Sequence, residues 1–195
     1  MPHFVSFFST FIPNKFEESV VAASHLSNYI IGIIDGTVHR IQRPSIDQHL
    51  YWNEHYQFHT IHSLFLIGFD GSIKAVETGI PGSFPDSPSA NFSTLFQDIL
   101  GPNLAMGDTG FAGVDYIVAG FTACQLKTAA HKDFDRISRS EQVKIEHVNN
   151  FVKKCKTLSK TCQFIHTNVL LCGCVIVGAG LYNYMLYTFG KCMGE

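Results

Sequence analysis

The sequence predicts a mixed α/β architecture, a single sheet flanked by helices. Three observations carry that reading: an unbroken apolar strand at residues 29–34, two strand-like runs joined at Asp70-Gly71, and long helical patterns in the last third. With 195 residues, 46% apolar and 15% charged, the chain suits one domain with a large buried interior and excludes a disordered polymer.

Residues 1–28 read as a short N-terminal helical remnant, and residues 29–190 as the domain proper. Residues 1–13 are apolar but have no basic leader, so they do not read as a signal peptide. Residues 16–27 read as an amphipathic helix opened by Asn14 as a cap. The run Y-I-I-G-I-I at 29–34 is too apolar for a half-exposed strand, so it is a buried central one that ends at Asp35. Residues 40–56 are polar and irregular, a long loop. Residues 58–69 and 73–78 read as strands, and Asp70-Gly71 supplies the tight turn between them. Gly79, Pro81, Gly82, Pro85 and Pro88 make the next stretch a loop. A helix follows over 89–100, broken by Gly101-Pro102. A short apolar run at 104–107 leads into Asp108 and a Gly-rich loop at 109–113. Residues 138–158 and 164–185 read as helices, the first with a charged face, the second strongly apolar.

Charge is unevenly spread. Residues 1–121 hold 4 Lys+Arg against 11 Asp+Glu, and residues 122–195 hold 10 against 5. Such asymmetry permits a basic face for phosphate beside an acidic centre. The six cysteines lie between Cys124 and Cys192 with no C-x-x-C pair, against a zinc ribbon or a disulfide scaffold and for reduced intracellular thiols.

Asp35 and Asp108 each follow a core strand, where open α/β sheets place their sites, and Glu146 lies mid-helix on a segment that can pack across that edge. Carboxylates brought together repel unless cations lie between them. Hard divalent ions take oxygen ligands, so Mg²⁺ or Mn²⁺ is the natural occupant, and a pair of them can drive phosphodiester hydrolysis.

Local words sharpen this. They are G-I-I-D-G-T at 32–37, I-Q-R-P at 41–44, F-D-G-S-I at 69–73, G-I-P-G-S-F-P-D-S at 79–87, M-G-D-T-G-F at 106–111 and I-E at 145–146. In this order, and over roughly residues 14–186, the chain resembles the PIF/Harbinger-like DDE transposases and their nuclease relatives. The resemblance implies an RNase H-like mixed sheet flanked by helices and a metal-dependent DNA endonuclease or transposase. It implies Asp35, Asp108 and Glu146 as catalytic, metal-binding carboxylates. Asp86 matches a further Asp, expected as a loop-ordering or substrate-edge residue or as a helix cap, and Lys153 matches a family lysine. It also implies DNA as partner, a separate Myb-like DNA-binding protein and a nuclear location. A homo-oligomer is a further expectation, and no small-molecule organic cofactor is called for.

The chain departs from the pattern at Val38-His39 after D-G-T, at Phe134-Asp135 and Gln142 before Glu146, and at Asn149-Asn150 after it, where relatives often carry F-G. These changes cluster around the third acid and motivate a rival reading, a catalytically silent DNA- or protein-binding module. Tyr182-Asn183 resembles the family's L-H-N. Two other signals compete. His55, His59 and His62 would suit zinc on a helix, but on a strand residues 59 and 62 face opposite ways. Residues 161–190 contain no Asp, Glu, Lys or Arg, long enough for a membrane span, though a buried core helix is preferred. The lysines at 153, 154, 156 and 160 can meet DNA phosphates or simply solvent.

Overall fold

The computed structural model of the chain describes residues 2–16, 29–154, 158 and 168–190. The helix expected over 16–27 falls almost wholly outside the described residues. Helix α1 (Pro2–Ser9) comes first, then strand β1 (Ile30–Arg40). A one-turn helix α2 (Gln48–Tyr51) and a two-residue strand β2 (Trp52–Asn53) follow, then the long hairpin of β3 (Phe58–Gly68) and β4 (Ile73–Pro81). Helices α3 (Asp86–Asn91) and α4 (Thr94–Leu100) lead to β5 (Leu104–Gly107), a 3₁₀ turn (Thr109–Phe111) and β6 (Ile117–Ala119). Helices α5 (Ala129–Lys153) and α6 (Asn168–Phe189) finish the fold.

The main sheet runs β4-β3-β1-β5-β6, with β2 on one end of β3. Strands β1, β3 and β4 form an antiparallel meander, and β5 and β6 continue it parallel to β1. Strand β3, between β4 and β1, is buried at every residue from Thr60 to Gly68 because both its faces are covered. One face packs Ile33, Phe65 and Ile67 against Ile145, Val148 and Val152 of α5 and Val175 of α6. The other packs Ile31, Ile34, Leu64 and Leu66 against Phe96 and Leu100 of α4 and Phe111. Each such fully buried side chain contributes about 2 kcal/mol of transfer free energy.

Several boundaries differ from the sequence reading. Strand β1 does not stop at Asp35. It continues through Gly36–Arg40 because those residues keep pairing with β3, Asp35 opposite Phe65 and Arg40 opposite Thr60. The segment expected as one helix over 89–100 is two, since Ser93 adopts an extended conformation and its hydroxyl caps a new helix at Phe96 N. The loop expected over 40–56 holds α2 and β2. Strand β6, too short to show a pattern, was not anticipated, and α5 begins nine residues early, at a Thr128 cap that accepts from His131 N. The turn at Asp70-Gly71 is present, with only Gly71 at positive φ, +80°.

The apolar C-terminal helix packs against α1, β4 and α5. Residues Val169–Phe189 are long and apolar enough to cross a membrane by length and composition. Yet Leu171, Val175, Ala179 and Asn183, spaced by four, form one buried stripe against the sheet. Asn183 is fully buried and clamps the edge strand: its Oδ1 accepts from Ile73 N at 2.8 Å, and its Nδ2 donates to Ile73 O at 2.8 Å and Phe11 O at 2.7 Å. That stripe docks one side of the helix on the fold, while Val169, Tyr184, Tyr187 and Phe189 are exposed.

Candidate active site

Parallel pairing of β1 with β5 places Ile33 opposite Met106. Asp35 and Asp108 each lie two residues further on, so the sheet presents them side by side where β5 ends. Asp35 shares the face of β1 that packs under α5. Its Oδ2 accepts from Asn149 Nδ2 of that helix at 2.8 Å. Asp108 is held differently: it caps the 3₁₀ turn, with Oδ1 accepting from Gly110 N at 2.8 Å.

Asp86, the first residue of α3, leans in from the other side. Its Oδ1 lies 2.9 Å from His62 Nε2. A Cβ added at Gly110 would sit 3.0 Å from Asp108 Oδ1 and 3.3 Å from Asp86 Oδ2, so these two carboxylates meet over that glycine. Asp86 is thus the first residue of α3 and not its cap, which is Pro85, and its carboxylate lies near Asp108.

The electrostatics follow from this crowding. Burial pushes Asp35 up to about 7, the charges of Asp108, Asp86 and Glu146 push the same way, and the Gly36 backbone N–H opposes them. Burial likewise raises Asp108, with Asp86 adding and Gly110 opposing. Lys153, one turn beyond Asn149, is lowered by burial while the charge of Asp35 counteracts. His39, four residues along β1 from Asp35, is 1% exposed, with neither ring nitrogen partnered among the described residues. Burial, then Lys153 and His62, push it down to about 3, so it is neutral.

Glu146 lies in the second half of α5 and is exposed. Its charge reaches Asp35. Among the described residues, no three His, Cys, Asp or Glu side chains converge closely enough to hold a metal ion. Asp35 and Asp108 fit a hard divalent cation in kind, being oxygen donors whose mutual repulsion and burial a cation would relieve. The third arm is not in place.

Beside Asp108 opens a cleft of about 280 Å³ walled by Thr109, Phe121, Asp135, Arg139 and Gln142, with Arg139 Nε paired to Asp135 Oδ2 at 2.8 Å. The histidines considered for zinc do not assemble: His59 and His62 lie on opposite faces of β3, and His62 is taken by Asp86. His49, His55 and His59 line instead a separate open groove of about 840 Å³ with Trp52 and Arg43. Sequence reasoning noted Asn149 only as a departure and missed its bond to Asp35. The available signal was spacing, since residue 149 follows the apolar Ile145 by one helical turn and so shares its face.

A family model described as DDE superfamily endonuclease matches residues 34–183. The chain belongs to this family. The match begins one residue before Asp35, ends at Asn183 and takes in Asp86, Asp108 and Glu146. Membership assigns the chain, at the level of class, to nuclease or transposase chemistry with DNA as the substrate, a class that generally works with divalent metals. No curated protein and no solved structure matches it.

Proposed function

We propose that this DDE superfamily endonuclease domain is a metal-dependent DNA nuclease or transposase core of the PIF/Harbinger-like kind, with an RNase H-like sheet. The strand order, an antiparallel meander continued by two parallel strands, supports that sheet. The observation that carries the chemistry is the side-by-side placement of Asp35 and Asp108 at the end of β5, both with raised pKa.

Asp35 and Asp108 would hold Mg²⁺ or Mn²⁺, and Glu146, whose charge already reaches Asp35, would be the third carboxylate. Bound there, two cations supply Lewis-acid polarisation of the phosphodiester and a water acidic enough to attack at neutral pH. Asp86, fixed by His62, keeps the 109–113 loop and Asp108 in register. Lys153 supplies positive charge behind Asp35. Arg139 and Gln142 stand where a phosphate entering the cleft would meet them. DNA as substrate brings a nuclear location, a separate Myb-like DNA-binding partner and a homo-oligomeric assembly into the same proposal.

A second reading has a specific observation behind it. Asp35 is already engaged by Asn149, and Glu146 stands apart, as a catalytically silent DNA- or protein-binding module would have it. Nicking of supercoiled plasmid separates the two. The nuclease reading expects Mg²⁺-dependent nicking that Asp108→Asn abolishes while the circular dichroism spectrum is unchanged. Nicking by the variant at the parent's rate defeats the assignment.

A further inference from the structure

Asn149 occupies a place where an amide needs a reason. It lies in the stripe of α5 that buries Ile145, Val148 and Val152 against the sheet, and it is only 7% exposed. A buried amide is stabilised there only by the bonds it makes. Asn149 spends its Nδ2 on Asp35 Oδ2 at 2.8 Å, 114 residues away in sequence. Its Oδ1 is buried with no partner among the described residues. Glu146, one turn earlier, is exposed. The helix hydrogen-bonds Asp35 through Asn149, while Glu146 acts on it through its charge.

We propose that Asn149 is a positioning residue of the site: it fixes the rotamer of Asp35 by one hydrogen bond. This rests on the nuclease reading above, and it assigns α5 a second contribution beside Glu146. Residues that orient a metal-binding carboxylate typically change metal affinity 10–100-fold when replaced, without touching the ion themselves. The geometry gives Asn149 that role through Asp35, with a backbone fixed by Val148 and Val152 on either side.

The test uses the full chain and Mn²⁺ alone, titrated by electron paramagnetic resonance and calorimetry. Asn149→Leu keeps the volume and suits the apolar stripe, so the thermal midpoint without metal stays at or above the parent's. Its Mn²⁺ affinity is expected to fall by about tenfold or more. Asn149→Asp places a carboxylate against Asp35. It is expected to lower the midpoint without metal, to bind Mn²⁺ more tightly than the parent, and to regain the midpoint when Mn²⁺ is added. A merely structural asparagine would produce neither gain. Should Asn149→Leu fail to fold, Asn149→Ser carries the same affinity comparison. If Asn149→Leu binds Mn²⁺ as the parent does while Asp35→Asn does not bind, the role of Asn149 is overturned and the nuclease reading stands. If the parent itself binds no Mn²⁺, both fall.

Discussion

His62 Nε2 stands 2.9 Å from Asp86 Oδ1, and the pair sits over the backbone of Gly36, the residue after Asp35. The His62 side chain is 4% exposed and its Nδ1 has no partner among the described residues, so the ring is anchored by this one contact. A second strand and a helix are thereby tied to the first acid through a glycine that leaves them room.

That room predicts the effect of a single methyl. A Cβ at residue 36 would come 2.5 Å from Asp86 Oδ1 and collide with His62 Nε2. Gly36→Ala is expected to part the pair and cost about 1–3 kcal/mol of stability. Asp86 and the Asp108 loop shift with it, and misplacement of about an ångström lowers nicking on the order of a hundredfold. Urea unfolding and plasmid nicking check this; an unchanged midpoint with full nicking would refute it.

Asp35 predicts a pH dependence. An unfolded Asp35 ionises near 3.8, and in the fold the same group does so near 7. Between those values the unfolded chain has released a proton that the fold retains. Asp35 therefore lowers stability as pH rises from about 4 to about 7, by an amount on the order of a few kcal/mol, and its effect is constant above. Asp35→Asn should thus gain stability over the parent progressively across that window and match it near pH 4. His39 acts in the opposite sense. Its folded pKa of about 3 lies below the ordinary 6.5, so its contribution is present above 6.5 and is lost as pH falls toward 3. The two oppose one another over nearly the same window, and removing Asp35 unmasks His39. Thermal midpoints of the metal-free protein from pH 4 to 8 read this out, and equal curves for parent and Asp35→Asn would contradict it.

Asn183 predicts how α6 is held. Asn183→Leu keeps the helix apolar but leaves the Ile73 N–H without its buried acceptor and removes the donor to Ile73 O and Phe11 O. The expected loss is about 3 kcal/mol. A helix that merely lay beside the sheet would lose nothing in the same urea titration.

These relationships explain which parts of the molecule were legible in the sequence. Strands with a strong pattern, such as residues 58–68, and the paired acids after apolar runs were readable because burial on two faces and oxygen chemistry leave local marks. The true end of β1 was not. Gly36, Thr37 and His39 look like loop residues, and only their pairing with β3 keeps them extended. Strand β6, three residues long, exists because β5 offers it a parallel edge. The cap at Thr128 and the break at Ser93 are side-chain events that apolar periodicity does not report. The sequence reading named Asp35 and Asp108 from the apolar runs before them, but the contacts that hold Asp35, Asp86 and His62 join residues far apart in the chain and exist only once the sheet forms.

The central claim is that Asp35 and Asp108 grip a divalent cation between them. Mn²⁺ titration of the metal-free protein by calorimetry at pH 8, beside Asp35→Asn and Asp108→Asn, tests it most directly. The account predicts saturable binding by the parent, lost in both variants while each stays folded. Binding by either variant with the parent's affinity would contradict it.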